Sequence, residues 1–249
     1  MSYTRLDMTQ SILPTRLFDL VDAAALRGDR RPCFTHGDRR LFASAYKKHV
    51  DALSLALVDF GLRRGEAVAI VAENRPEWNV VDMAVMQAGG VTLPLCVGLS
   101  AEDYIEGMDG VGVRLLFIED EALLGRFRTI LPQVASLQKA VLMVGDDGGE
   151  TLGGWIADGS SSGAGAALER RRSLTSTDDV CTMAYTGCGT FRKYTHRQLL
   201  AEVAGLASSE GGRRRAASCN NALCTVYGRT RNYVCQYAGR TVEYPSAVL

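Results

Sequence analysis

Apolar positions along this chain alternate between two periods. Leu41, Ala45, Val50, Leu53 and Leu57 recur at helical spacing and stop before Gly61, so residues 41–60 predict a helix. EAVAIVA (66–72) is an unbroken apolar run, as expected of a strand covered on both faces. Asn74 precedes Arg75-Pro76-Glu77, which predicts a helix capped by Asn74 with Pro76 in its first turn. That helix carries Trp78, Val81 and Val85 and ends at Gly89-Gly90. Trp78 is expected to pack it against a sheet. Strands follow at 91–97, 113–118 and 139–144, with a helix at 121–131. Ser100, with Asp103 three residues on, opens a short helix between the first two of these. The strand starts at 66, 91, 113 and 139 are 25, 22 and 26 residues apart. Repeats of that length are βαβ crossovers. The expected class is α/β, a mostly parallel sheet flanked by helices.

Two stretches break the alternation. Residues 145–177 are rich in Gly, Ser and charge around one apolar segment, Trp155-Ile156, and read as a linker or surface excursion. Within it, Arg170, Arg171 and Arg172 read as solvated, with anion binding as the alternative. DVCTMAYTG (179–187) returns as a strand running into a glycine turn, and Thr195 caps a helix from 196 to 206. Residues 207–221 have no period and almost no apolar content. Val226, Tyr233 and Tyr237 then sit at helical spacing, and 241–244 reads as a strand. The expected organisation is a first α/β subdomain at 1–145, a linker at 146–177 and the start of a second α/β subdomain at 178–249.

Charge narrows the function classes. The 28 Lys+Arg balance 28 Asp+Glu, which argues against a chain built mainly to grip nucleic acid. The seven cysteines form no C-x-x-C pair, so reduced thiols and a cytoplasmic location are expected. His36, His49 and His196 do not sit at ligand spacing from a cysteine pair, so no metal site is expected. The first ten residues lack an apolar h-region, and the apolar stretch 83–99 is broken by Gln87, Gly89, Gly90 and Pro94.

The candidate chemistry lies in the turn from Tyr185 to Lys193. Gly187 and Gly189 let backbone N–H groups approach a phosphate, Thr186 and Thr190 add hydroxyls, and Lys193 adds charge. The turn lacks the Walker A pattern, and a plain glycine turn is the competing reading. Cys188 between the glycines reads as an inert thiol, and His196 as a polar residue of a first helical turn with no base role. Glu73 and Asn74 fall at the carboxyl end of a strand, where α/β sheets bind ligands.

GLRRGEAVAIVAENRPEWNVVDMAVMQAGGVTLPL (61–95), with LSAEDYIEGMDGVGVRLLFIED (99–120), resembles the early part of AMP-forming acyl-CoA synthetases, the long-chain fatty acyl branch above all. DDVCTMAYTG…THRQLL (178–200) resembles that family's strand, phosphate loop and helix, and VYGRTRNYVCQYAG (226–239) its acyl-region segment. The resemblance implies the N-terminal domain of the adenylate-forming fold, here incomplete. It implies a fatty carboxylate attacking the α-phosphate of Mg2+-bound ATP to give acyl-adenylate and pyrophosphate, with CoA thiol then displacing AMP. It implies nucleotide contacts at Thr186, Gly187, Gly189, Thr190 and Lys193, and acyl-region matches at Tyr227 and Arg229. A lipid substrate implies peripheral contact with membranes.

This sequence departs from the family pattern in two places. Tyr185 to His196 is four residues shorter than the family spacing, inside the phosphate loop. At the acyl-region motif Thr225 stands for the family histidine, Ala222 for the proline and Gly228 for the glutamate. The family segments carrying the adenine site, the metal-binding acid and the catalytic lysine have no counterpart here. The expected role is a truncated or damaged ligase copy, inactive alone, with no catalytic residue of its own. The alternatives are a non-catalytic nucleotide- or acyl-binding module and an interaction subunit. The arginine-rich stretch at 207–221 beside the shortened loop is what a local frame disturbance produces.

Overall fold

The computed structural model describes residues 13–145, 150–210, 216–218 and 220–245. Helix α1 (Asp19–Arg27) leads into a short hairpin, β1 (Phe34–His36) and β2 (Arg39–Leu41), and then α2 (Ala43–Asp59). The alternation follows in chain order as β3 (Ala67–Val71), α3 (Pro76–Gln87), β4 (Val91–Pro94), α4 (Ala101–Asp109), β5 (Leu115–Ile118), α5 (Glu121–Arg126) and β6 (Lys139–Leu142). After it come α6 (Leu152–Ser160), α7 (Gly165–Leu174), β7 (Val180–Gly187), β8 (Thr190–Thr195) and α8 (His196–Glu210). The described chain closes with β9 (Ala216–Ser218), α9 (Val226–Tyr237) and β10 (Thr241–Tyr244).

Two sheets result. The larger has the order β6-β5-β3-β4-β7-β8, parallel except for β8 at its edge. The smaller has the order β2-β1-β10-β9, with β1, β10 and β9 parallel. The expected α/β class is therefore what forms. In β3 every residue is buried, because its two faces feed two cores. Val68 and Ile70 join one core with Leu53 and Leu57 of α2, Val81 and Val85 of α3, Val203 of α8 and Tyr233 of α9. Ala67, Ala69 and Val71 join the other with Tyr104 and Met108 of α4 and Phe127. Phe34, Val242 and Tyr244 of the smaller sheet belong to the first core, so the two sheets share it. Helix α3 is buried at every position except Glu77, as a helix wrapped on all sides must be.

Three local readings change in the structure. The described part of 145–177 is not an extended linker but two helices; residues 146–149 of that stretch lie outside the described residues. Helix α6 lies so close to α2 that a Cβ added at Gly159 would stand 1.8 Å from the Ala52 carbonyl oxygen. Helix α7 buries only Leu168, and arginines hold it down. Arg171 donates to the carbonyls of Leu62 and, at 3.0 Å, Ala88. Arg172 donates to Gln87 Oε1 at 2.8 Å and pairs with Asp22. Two of the three arginines thus bind this chain's own oxygens, and Arg170 is exposed. The second change is at Asn74. The residue flanking α3 is Arg75, with no side-chain cap, and Asn74 is used elsewhere. The third is in 207–221, where α8 runs on to Glu210 and β9 pairs with β10.

Candidate functional site

The carboxyl ends of β3, β4, β5 and β7 lie on one edge of the larger sheet, the edge at which open α/β sheets place ligands. The edge is tightly fastened. Arg75 donates to Glu119 Oε1 at 2.7 Å and to Glu77 Oε2 at 3.1 Å, and the Glu73 N–H donates to Glu119 Oε2 at 2.7 Å. Asn74 donates to the Asn221 carbonyl at 2.9 Å and accepts from the Leu223 N–H at 2.8 Å. It therefore clamps the loop before α9 instead of capping α3.

A disulfide reinforces that clamp. Cys96, just after β4, is bonded to Cys224 across 128 residues of sequence. The expectation of reduced thiols throughout does not hold, because the two sheets carry these distant cysteines to one place. Cys33, Cys181, Cys188 and Cys235 remain free. Thr225 next to the bridge caps α9, its hydroxyl accepting from the Gly228 N–H at 3.0 Å. In this position it acts as a cap where the family motif has histidine.

The turn after β7 closes as a hairpin. Gly187 pairs with Thr190, leaving Cys188 and Gly189 as a two-residue connection with φ of 49° and 66°. Positive φ at both central positions is the type I′ geometry that matches strand twist. The Thr190 hydroxyl donates to the Gly187 carbonyl at 2.6 Å, and the Thr186 and Thr190 hydroxyl oxygens are 2.6 Å apart. A Cβ added at Gly187 or Gly189 would meet nothing within 4 Å, so the space before the tip is open. Tyr185 anchors the hairpin on α4 by donating to Asp103 Oδ1 at 2.8 Å. Desolvation and that bond push its hydroxyl up to about 12, and the same bond, with Ser100, lowers Asp103.

Thr186, Gly187, Gly189 and Thr190 are therefore brought together. Lys193 is not with them. It pairs with Met183 in the hairpin and lines a separate cleft with Arg64, Asp179, Gly90 and His196. Arg64 is held there by Asp179 at 3.0 Å. His196 begins α8 and is buried, with Nδ1 accepting the Leu17 N–H at 3.2 Å. Burial, then the nearby Arg16 charge, lowers its pKa to about 4, so the imidazole is neutral at pH 7.

The two acyl-motif residues also part company. Tyr227 is 64 % exposed, whereas Arg229 is 1 % exposed. Arg229 donates to the Thr182 hydroxyl, and Thr182 and Thr92 hydroxyls bond each other at 2.9 Å across β7 and β4. Asp82 of α3 lies in the same interior, accepting from the Tyr233 hydroxyl at 2.5 Å through Oδ2, while Oδ1 is buried without a hydrogen-bond partner. Burial drives its pKa up to about 6 against the pull of Arg229 and Tyr233. The apolar period of α3 hides this acid, and nothing local in the sequence pairs it with residues about 150 positions away. Among the described residues no group of three or more His, Cys, Asp or Glu converges to hold a metal ion.

The profile of the family described as "AMP-binding enzyme" matches residues 21–246. The chain belongs to the AMP-binding enzyme family. Among curated proteins it is similar to the long-chain-fatty-acid–CoA ligase FadD15 of Mycobacterium bovis, 28 % identical over 160 residues, which cover 63 % of this chain and 26 % of that protein. It is similar to fatty acyl-CoA synthetase A of Dictyostelium discoideum, 29 % identical over 167 residues, covering 63 % and 25 %. The chain thus spans about a quarter of the length of these curated relatives. A solved long-chain-fatty-acid–CoA ligase of Archaeoglobus fulgidus superposes with a TM-score of 0.78 at 16 % identity, over 93 % of this chain and 47 % of that one. At that identity the likeness speaks for the fold. In this family member the hairpin tip brings two glycines and two threonine hydroxyls together, the hydroxyls bonded within the tip itself.

Proposed function

We propose that this chain forms the N-terminal α/β scaffold of a long-chain fatty acid–CoA ligase, and that by itself it makes no acyl-CoA. The observation that carries the second part is the tight connection at Cys188-Gly189. A phosphate loop works by surrounding its anion with oriented N–H groups and cations. A two-residue turn whose threonines are bonded to each other, with Lys193 in another cleft, surrounds very little.

In this reading fatty acid, ATP and CoA are the substrates of the lineage. Thr186, Gly187, Gly189 and Thr190 are the residues that touch a nucleotide phosphate, and membranes are reached only through the lipid substrate. Tyr227 is the exposed acyl-region residue; Arg229 is a buried strut. No helix among the described residues is long and apolar enough to cross a membrane.

The test is fatty-acid-dependent AMP release and ATP–pyrophosphate exchange by the purified chain with Mg2+, CoA and a palmitate substrate. The expected result is none above the no-protein blank. AMP release that requires both protein and fatty acid refutes the inactivity. The open space at Gly187 and Gly189 favours a second reading, a non-catalytic nucleotide-binding module. Saturable ATP binding, lost in Thr186→Ala, would establish it.

A further inference from the structure

A cleft of about 650 Å3 opens at the amino ends of β1 and β10, on the smaller sheet and apart from the β7–β8 hairpin. Its walls are apolar, with Pro14, Ala23, Ala24 and Tyr237 among them. Two leucines of that wall, Leu13 and Leu26, are 69 % and 64 % exposed, and both count among the few large apolar side chains left open to water. A guanidinium stands at each of four further positions around it: Arg27, Arg30, Arg31 and Arg240.

The charges there are poorly matched. Arg240 is bonded to Glu210 at 2.6 Å, and Glu210 also pairs with Arg231. Among the described residues no carboxylate forms an ion pair with Arg27, Arg30 or Arg31. The neighbouring Asp29 is turned to Ser44, accepting from its N–H at 2.8 Å. Arg27 is held in place by donating to the Gln236 carbonyl at 2.8 Å. Arg27 is exposed overall, and partial desolvation lowers its pKa. A second cleft on the far side of Arg30 and Arg31 adds Arg40 together with the acidic Glu243.

These features select a ligand class. A neutral apolar ligand would desolvate the guanidiniums without pairing them, which is unfavourable. A small anion would pair them and leave the leucines wet. An anion carrying an alkyl tail satisfies both, and the volume lies in the range of small-molecule sites. We infer that this cleft is a binding site for an anionic amphiphile, a carboxylate or phosphate head on an alkyl chain, with Arg27, Arg30 and Arg31 receiving the head and Leu13 and Leu26 covering the tail. The site is independent of the ligase reading, because none of its residues belongs to the hairpin.

The experiment titrates the whole chain with dodecyl phosphate and with dodecanoate below their micelle concentrations. Inorganic phosphate and dodecyl maltoside are the controls. Binding is read by calorimetry and by maleimide labelling of Cys33, which lines the cleft. Saturable one-to-one binding is expected for both amphiphiles, with at least fivefold slower labelling of Cys33. Arg30→Gln with Arg31→Gln, at exposed positions where folding is safe, should weaken binding at least tenfold. Arg27→Lys should hold it within about threefold. Thr186→Ala at the hairpin should leave it unchanged, which separates this site from the proposed nucleotide site. Equal binding of dodecyl maltoside, equal binding of inorganic phosphate, unprotected Cys33, or an arginine double variant that binds like the parent would each overturn the inference. Either amphiphile binding alone supports it and identifies the head group.

Discussion

Replacing Asp82 by asparagine should uncover a pH dependence of stability that the parent chain conceals. Asp82 is fully buried with one carboxylate oxygen lacking a hydrogen bond, and its pKa stands at about 6 against 3.8 unfolded. The native state therefore holds that proton more tightly than the unfolded state. Stability falls as pH rises from about 4 through 6. A shift of roughly two units corresponds to about 3 kcal/mol. His196 acts in the opposite sense. Its native pKa of about 4 lies below the unfolded 6.5, so the unfolded chain binds the proton more tightly in that window. Its contribution to stability is complete above pH 6.5 and lost as pH falls through 4, again by about 3 kcal/mol. The cause is burial, then the Arg16 charge, and a proton on Nδ1 would also remove the acceptor that the Leu17 N–H uses.

The two slopes nearly cancel, so the parent should be almost flat between pH 4 and 6.5. The carboxylates lowered by partners, such as Asp22 and Glu77, lose their contribution as pH falls through the acid end of that window, equally in parent and variant. Asp82→Asn should then gain about 3 kcal/mol of stability from pH 4 to pH 7 and exceed the parent at pH 7. His196→Asn, which keeps an acceptor for Leu17, should lose a similar amount over the same range. The assay is urea unfolding at fixed pH values, followed by fluorescence of the buried Trp78 and Trp155. Profiles of Asp82→Asn and the parent that run parallel from pH 4 to 7 would refute the reasoning.

Reduction of the Cys96–Cys224 bridge reopens a loop of 128 residues, worth up to about 5 kcal/mol by chain entropy; unfolding midpoints with and without a dithiol measure it. Gly159→Ala should destabilise by about 3 kcal/mol or more, because the added methyl meets the Ala52 carbonyl, while Gly205→Ala in open space on α8 should stabilise by about 0.5–1 kcal/mol. Denaturant titrations of the two variants should move in opposite directions. Arg229→Met removes the cation facing Asp82 and should cost about 3–5 kcal/mol at pH 7, much less at pH 4 where Asp82 is protonated. Asn74→Ala frees the Asn221–Leu223 loop and should cost about 1–3 kcal/mol, with hydrogen exchange rising at the Leu223 N–H.

The sequence by itself determined the βα alternation, because burial on two faces leaves a local signature. Residues 67–71 and 115–118 had to be apolar throughout, since their alternate residues enter different cores. The Ser100 cap and the glycine turn after β7 were equally local and equally legible. Tertiary structure decided everything that joins distant residues. Helix α7 has no apolar face to announce it, and exists because Arg171 and Arg172 reach oxygens on Leu62, Ala88 and Gln87. Asn74 looked like a cap, yet its amide meets a loop nearly 150 residues on. Cys96 found Cys224, and Arg229 was drawn inside to the Thr182 hydroxyl. The candidate phosphate residues divided on the same principle: four share a hairpin tip because they are neighbours, and Lys193 left them because antiparallel pairing with Met183 carried it into another cleft. Periodicity records which face of an element is covered, whereas the partner that covers it is fixed only when the sheets assemble.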